Sequence, residues 1–64
     1  MKFKFIGKPD LLLDTLTSNE TYEILQFEKR DRYLIVYVID DIKNLIYIPY
    51  KTTFDFNKDW KYMQ

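Results

Sequence analysis

The chain contains no cysteine and no histidine, and a single glycine, Gly7. Without cysteine there is no disulfide, no thiolate nucleophile and no cysteine metal site. Without histidine as well, the usual catalytic triads and structural zinc centres are excluded. One glycine cannot build the glycine-rich loops that cradle phosphates. Alanine is also absent, which disfavours a helical bundle, where the strongest helix formers are common. Neither sign of charge prevails. Ten basic and ten acidic residues cancel, with six of each in residues 1–32 and four of each in residues 33–64. Bulk charge therefore favours neither nucleic acid nor an anionic membrane as a partner. No apolar run approaches the ~20 residues of a membrane span. The opening Lys2-Phe3-Lys4-Phe5 lacks the apolar stretch and cleavage site of a secretory signal. These absences lead to the expectation of a cytoplasmic protein with no cofactor and no resident metal.

What the chain does have is apolar and aromatic. Hydrophobic residues make up 47% of its 64 positions and aromatics 19%. A domain of this size, here taken as one unit over residues 1–64, buries only about 60% of its unfolded surface. Each buried aromatic ring, removing roughly 150–250 Å² from water, therefore counts heavily. Tyr, Phe, Ile and Thr are residues that suit a pleated sheet. Met1–Gly7 reads as a first strand, with Phe3 and Phe5 on one face and Lys2 and Lys4 on the other. Pro9 and Asp10 suit the start of a helical turn, and Leu12, Leu13 and Leu16 follow at i, i+1 and i+4, which gives one or two turns of helix or a compact loop with an apolar underside. Tyr22–Lys29 is a second strand whose alternation breaks. Tyr22 and Ile24 share one face, Leu25 and Phe27 the other, and a bulge at Ile24-Leu25 would bring both pairs to the core. Tyr33–Ile39 is a third strand and Leu45–Ile48 a fourth, joined by the turn-forming Asp40-Asp41-Ile42-Lys43-Asn44. Pro49 cannot donate to a ladder, so pairing should end there or reach a sheet edge. A tight turn is expected near Tyr50–Phe54. Trp60-Lys61-Tyr62 closes the series, with Trp60 and Tyr62 on one face.

Five short strands with an elaborate first loop predict an all-β fold: a small five-stranded antiparallel barrel with a one-turn helix in that loop. Closure would remove the exposed edges of so small a sheet. Phe5-Ile6-Gly7-Lys8-Pro9, Leu16-Thr17, Tyr22-Glu23-Ile24-Leu25, Ile39-Asp40-Asp41, Tyr47-Ile48-Pro49 and Phe54 carry a likeness. Over residues 3–54 the chain resembles the small SH3-like barrel proteins of phages and prophages of low-GC Gram-positive bacteria. That resemblance implies an SH3-like fold and a phage or prophage source, and little about activity. The chain departs from the peptide-binding SH3 domains of signalling proteins, which carry an ALYDY-type motif in the first long loop and a tryptophan pair opening the third strand. Here the loop reads Pro9-Asp10-Leu11-Leu12-Leu13-Asp14-Thr15-Leu16 and the only tryptophan is Trp60, which argues against a proline-rich ligand in an aromatic groove.

No enzyme signature is present. Asp40-Asp41 is the only adjacent acidic pair, and its position reads as turn chemistry rather than a chelate. Asp55 and Asp59 carry no stronger signal. Lys2 and Lys4 on the first strand, and Lys58 and Lys61 near the last, would form one basic strip beside Trp60 and Tyr62 if the terminal strands are neighbours. Basic groups beside stacking rings are what single-stranded nucleic acid needs. The stronger candidate is the hairpin. In Tyr33–Ile39 the smaller Leu34, Val36 and Val38 suit a barrel interior, joined by Ile46 and Ile48. Tyr33, Ile35, Tyr37, Leu45 and Tyr47 then form an apolar patch on the opposite face. Either the first loop, with Leu11, Leu12, Leu13 and Leu16, folds over this patch, or a protein does: a host protein or a second copy of the chain.

Overall fold

The computed structural model describes residues 1–10 and 13–64. In chain order the elements are β1 (Lys2–Phe5), β2 (Thr21–Arg30), β3 (Tyr33–Ile39), β4 (Leu45–Tyr50), α1 (Thr53–Asp59) and β5 (Trp60–Met63). All pairings are antiparallel and the sheet order is β4-β3-β2-β1-β5. The terminal strands are therefore neighbours. The expected closure does not occur: β4 and β5 are the two edges of an open sheet. Where a barrel would pair them, α1 intervenes. Its Phe56 lies 5.6 Å from the Tyr50 ring of β4 and 6.4 Å from the Trp60 ring of β5.

The long strand β2 belongs to both halves of the sheet. Its first residues pair with β1, Lys2 facing Glu23 and Phe3 facing Tyr22. Its later residues pair with β3, and the register slips between Ile24 and Gln26. This is the expected bulge, with a different consequence for one residue. Ile24 is fully buried and Phe27 packs against the core, whereas Leu25 is turned out to solvent, 54% exposed. An unpaired bulge residue lets the strand keep Tyr22, Ile24 and Phe27 on one side despite their broken spacing.

Two turns set the β2–β3–β4 meander. Arg30 pairs with Tyr33, leaving a two-residue loop in which Asp31 takes φ 54°, a conformation that aspartate tolerates better than most residues. In the second turn the Lys43 amide donates to the Asp40 carbonyl at 3.0 Å, the Asp40 amide donates to the Asn44 carbonyl at 2.9 Å, and Lys43 takes φ 66°. Asp40 is buried, and its Oδ1 accepts from the Ile42 and Asn44 amides at 3.2 and 2.8 Å. The acidic pair is thus turn chemistry at Asp40, as its position suggested.

The core lies on the concave face of the sheet. Phe3, Phe5, Tyr22, Ile24, Val36, Val38, Ile48, Tyr50 and Trp60 line it, and Leu13, Leu16 and Phe56 cover it. The helix expected in the first loop is not formed by the described residues there. Instead the Leu13 amide is held by the Asp10 carbonyl and by Asp10 Oδ1, each at 3.1 Å, and the Leu16 amide by the Leu13 carbonyl at 3.1 Å. Asp10 thus caps a turn that aims Leu13 and Leu16 inward. Leu11 and Leu12, part of the same expectation, lie outside the described residues. The helix that does form, α1, starts at an N-cap: Thr52 Oγ1 accepts from the Asp55 amide at 3.0 Å. Its sequence of Thr, Phe and Asn has weak intrinsic helix preference, so burial of Phe56 supplies the driving force.

Candidate protein-binding face and strand edge

The convex face of the β3–β4 hairpin carries the predicted patch. Val36 and Val38 are fully buried and Ile48 nearly so, while Leu34 and Ile46 pack against the core. Strand alternation then puts Tyr33, Ile35, Tyr37, Leu45 and Tyr47 on the other side. Tyr47 is 70% exposed, Leu45 56% and Tyr33 43%. Ile35 and Tyr37 are half-buried. The two tyrosine rings at 37 and 47, directly paired across the ladder, lie 6.2 Å apart. The Tyr37 hydroxyl donates to Glu28 at 2.6 Å. That bond, first, holds the Glu28 carboxyl below the usual carboxylate range and raises the Tyr37 phenol. Leu25, expected to reach the core with Phe27 through the bulge, is instead a further exposed apolar residue of β2.

The first loop does not cap this face with its described leucines. Leu13 and Leu16 are buried in the core on the concave side. The loop is tied down there by polar contacts. The Asp41 amide donates to the Thr15 carbonyl at 3.0 Å, and Thr17 Oγ1 and the Tyr22 hydroxyl donate to Asp41 at 2.7 and 2.6 Å. Tyr22 is thereby raised, mainly by burial and next by Asp41, and Asp41 is lowered, mainly by the Tyr22 bond.

Beside the patch runs the open edge of β4. The Asp40–Asn44 bond fixes the phase of the ladder. Hydrogen-bonded pairs alternate in an antiparallel ladder, so Ile46, Ile48 and Tyr50 direct their amides to β3, and Leu45 and Tyr47 direct theirs outward. Pro49 occupies the third outward position, where its missing N–H costs the ladder nothing. Proline thus lies within the edge strand rather than ending it. Along this edge a cleft of about 310 Å³ is lined by Ile46, Tyr47, Ile48, Pro49 and Tyr50 of β4 together with Asp10, Leu13 and Asp59.

The basic strip is assembled only in part. Lys4 and Lys61 are direct cross-strand partners and Lys2 pairs with Met63, so three of the lysines share the outer surface of the β1–β5 pair. Glu23, opposite Lys2 on β2, is ion-paired with the amino terminus, which holds its carboxyl below the usual range. Lys58 sits on α1, 3.8 Å from Asp55 and 4.8 Å above the exposed Phe54 ring. Trp60 is not available for stacking. It is 2% exposed, packs on Phe5, Tyr22 and Phe56, and donates its Nε1–H to the Tyr50 hydroxyl at 2.9 Å. Period-two reasoning put Trp60 and Tyr62 on one face, and they are, but it is the face of Phe3 and Phe5.

Among the described residues no cluster of three or more acidic, histidine or cysteine side chains could hold a metal, and no helix is long and apolar enough to cross a membrane. Comparison with known proteins finds no family model, no curated protein and no solved structure that matches this chain.

Proposed function

We propose that this chain is a non-catalytic protein-binding module that engages its partner through the convex face of β3 and β4. The observation that carries this reading is the exposure of Tyr33, Leu45 and Tyr47 on one face, with Leu13 and Leu16, the described leucines of the first loop, committed to the other. Exposed patches rich in tyrosine suit partner surfaces, because the ring supplies area and the hydroxyl stays wet. An SH3-like architecture, with the phage or prophage source that the resemblance implies, is part of the same proposal. It is supported by the strand order β5-β1-β2-β3-β4, by the bulged β2 shared between two half-sheets and by the short α1 between β4 and β5. A host protein is then the natural partner. The test is capture from a bacterial lysate by the immobilised chain, with Tyr33→Glu as control. Tyr33 lies on the face but away from the open edge. Capture of a defined protein that Tyr33→Glu abolishes, with the fold retained by circular dichroism, supports the reading. Capture that is indifferent to Tyr33→Glu overturns it.

A further inference from the structure

We infer that the edge of β4 pairs with the same edge of a second copy, joining two sheets antiparallel across a two-fold axis. The inference deepens the protein-binding reading by naming one partner. It starts from the hydrogen-bonding groups left open. Leu45 and Tyr47 each present an outward amide and an outward carbonyl, and among the described residues no bond outside the ladder reaches them. An edge with two donors and two acceptors in alternation is self-complementary. With Leu45 facing Tyr47 of the other copy, and Tyr47 facing its Leu45, all four donors meet all four acceptors.

The neighbours select that register. Beyond Leu45 the next outward amide is that of Lys43, which is already given to the Asp40 carbonyl. Beyond Tyr47 the next position is Pro49, which has no N–H. Pairing therefore begins and ends with these two residues. Shifting the register to set Tyr47 against its own copy would place Pro49 at a ladder position, with no donor for the facing Leu45 carbonyl. It would also bring Lys43 opposite Lys51 of the second chain, a like-charge pair that destabilises. Charge and proline thus disfavour the register on one side. On the other, where Leu45 would meet its own copy and Tyr47 would face Lys43, the committed Lys43 amide leaves the Tyr47 carbonyl without a donor. A two-fold pairing closes, whereas β4 on the β5 edge of another copy would propagate as a fibre.

Side chains agree with the backbone. In the selected register Leu45 and Tyr47, the two most exposed apolar residues of strands β3 and β4, become a cross-strand aliphatic–aromatic pair on the convex side. Ile46, half-buried at the mouth of the cleft, meets its own copy on the axis on the concave side. The tyrosine faces of the two copies become one continuous surface.

Light scattering coupled to size exclusion over the micromolar range, with amide hydrogen exchange, tests this. The expected result is a dimer in which the Leu45 and Tyr47 amides are protected, and in which Tyr47→Pro weakens dimerisation by roughly tenfold or more, as loss of the central donors and the ring requires. Because proline at 47 removes no bond to β3, the variant should stay folded. If it does not, protection at Leu45 and Tyr47 in the wild-type chain still decides. A monomer at all concentrations, or a dimer with both amides exchanging freely, overturns the pairing. A monomer that still captures a partner through Tyr33 sinks the pairing and leaves the binding face standing. A dimer that captures nothing does the reverse.

Discussion

The Tyr50 hydroxyl stands between two side chains from the other end of the chain: it accepts from Trp60 Nε1 at 2.9 Å and donates to Asp59 at 2.8 Å. This relay ties the end of the edge strand β4 to the junction of α1 and β5, across the gap where the sheet fails to close. Asp59 in turn accepts both the Ile6 and Gly7 amides at its carbonyl, at 2.7 and 3.3 Å. A side chain at Gly7 would press on the Asp59 carboxylate, its Cβ 2.9 Å from Cγ. Any side chain at the only glycine would therefore have to displace the Asp59 carboxylate, which the Tyr50 hydroxyl holds.

Tyr50→Phe keeps the ring against Phe56 but removes the relay. A buried indole donor is left without its partner, and that costs about 1–3 kcal/mol. Chemical denaturation followed by Trp60 fluorescence measures it. A loss below a few tenths would mean that water replaces the hydroxyl.

Stability should fall at both ends of the pH scale. Tyr50 is raised mainly by burial and next by Asp59, Tyr22 mainly by burial, and Tyr37 mainly by its bond to Glu28. The folded state holds these phenolic protons more tightly than the unfolded chain. Their contribution is intact below the unfolded tyrosine value of about 10 and is lost as pH rises beyond it. Asp41, Glu28 and Glu23 are lowered. Their contribution is present above the unfolded carboxylate values of about 4 and is lost as pH falls below them. Thermal unfolding from acid to alkaline pH should show both limbs, and Asp41→Asn should flatten the acid one. An acid limb unchanged in that variant would remove Asp41 from the account.

Ile24 and Leu25 are adjacent and should behave oppositely. Ile24 is fully buried and Leu25 mostly exposed. Ile24→Ala should destabilise by about 2–5 kcal/mol, and Leu25→Ala by no more than about 0.5 kcal/mol. Comparable losses at the two positions would show that the bulge is not where the ladder places it.

Lys4 faces Lys61 directly. Lys61→Glu replaces a like-charge pair by an attractive one and should stabilise the fold by about 0.2–1 kcal/mol at low salt, with the gain shrinking as salt rises. The same variant tests the alternative of single-stranded nucleic-acid binding by Lys2, Lys4, Lys58 and Lys61. Any such binding should weaken with Lys61→Glu and with salt. Binding indifferent to both would not be carried by this strip.

The meander was legible because its signals are local. Tyr33–Ile39 has the expected bounds, and the faces of β3 and β4 follow from placing small aliphatic residues inside. The bulge was legible from the broken spacing of Tyr22, Ile24 and Phe27, but not which residue it would expel. The helix α1 was missed because Thr53, Phe54 and Phe56 are poor helix formers. The available signal was Thr52 with Asp55 three residues on, a capping pattern. That helix is also why barrel closure was wrongly expected. The fate of Trp60 rested on contacts with Phe5, Tyr22 and Tyr50, which sequence spacing does not contain. The first loop was read for its leucines, while its direction is set by Asp41 reaching Thr15, Thr17 and Tyr22.

The β1–β5 ladder, in which Lys2 meets Met63, has a consequence for the order of assembly. Strands β2, β3 and β4 pair through short turns, so little chain entropy is lost before their contacts form. Joining β1 to β5 closes a loop spanning nearly the whole chain. The meander is therefore the expected nucleus, and the terminal ladder forms after the rate-limiting step. Substitutions at Val36 or Val38 should slow folding, whereas substitutions at Phe3 or Trp60 should mainly hasten unfolding.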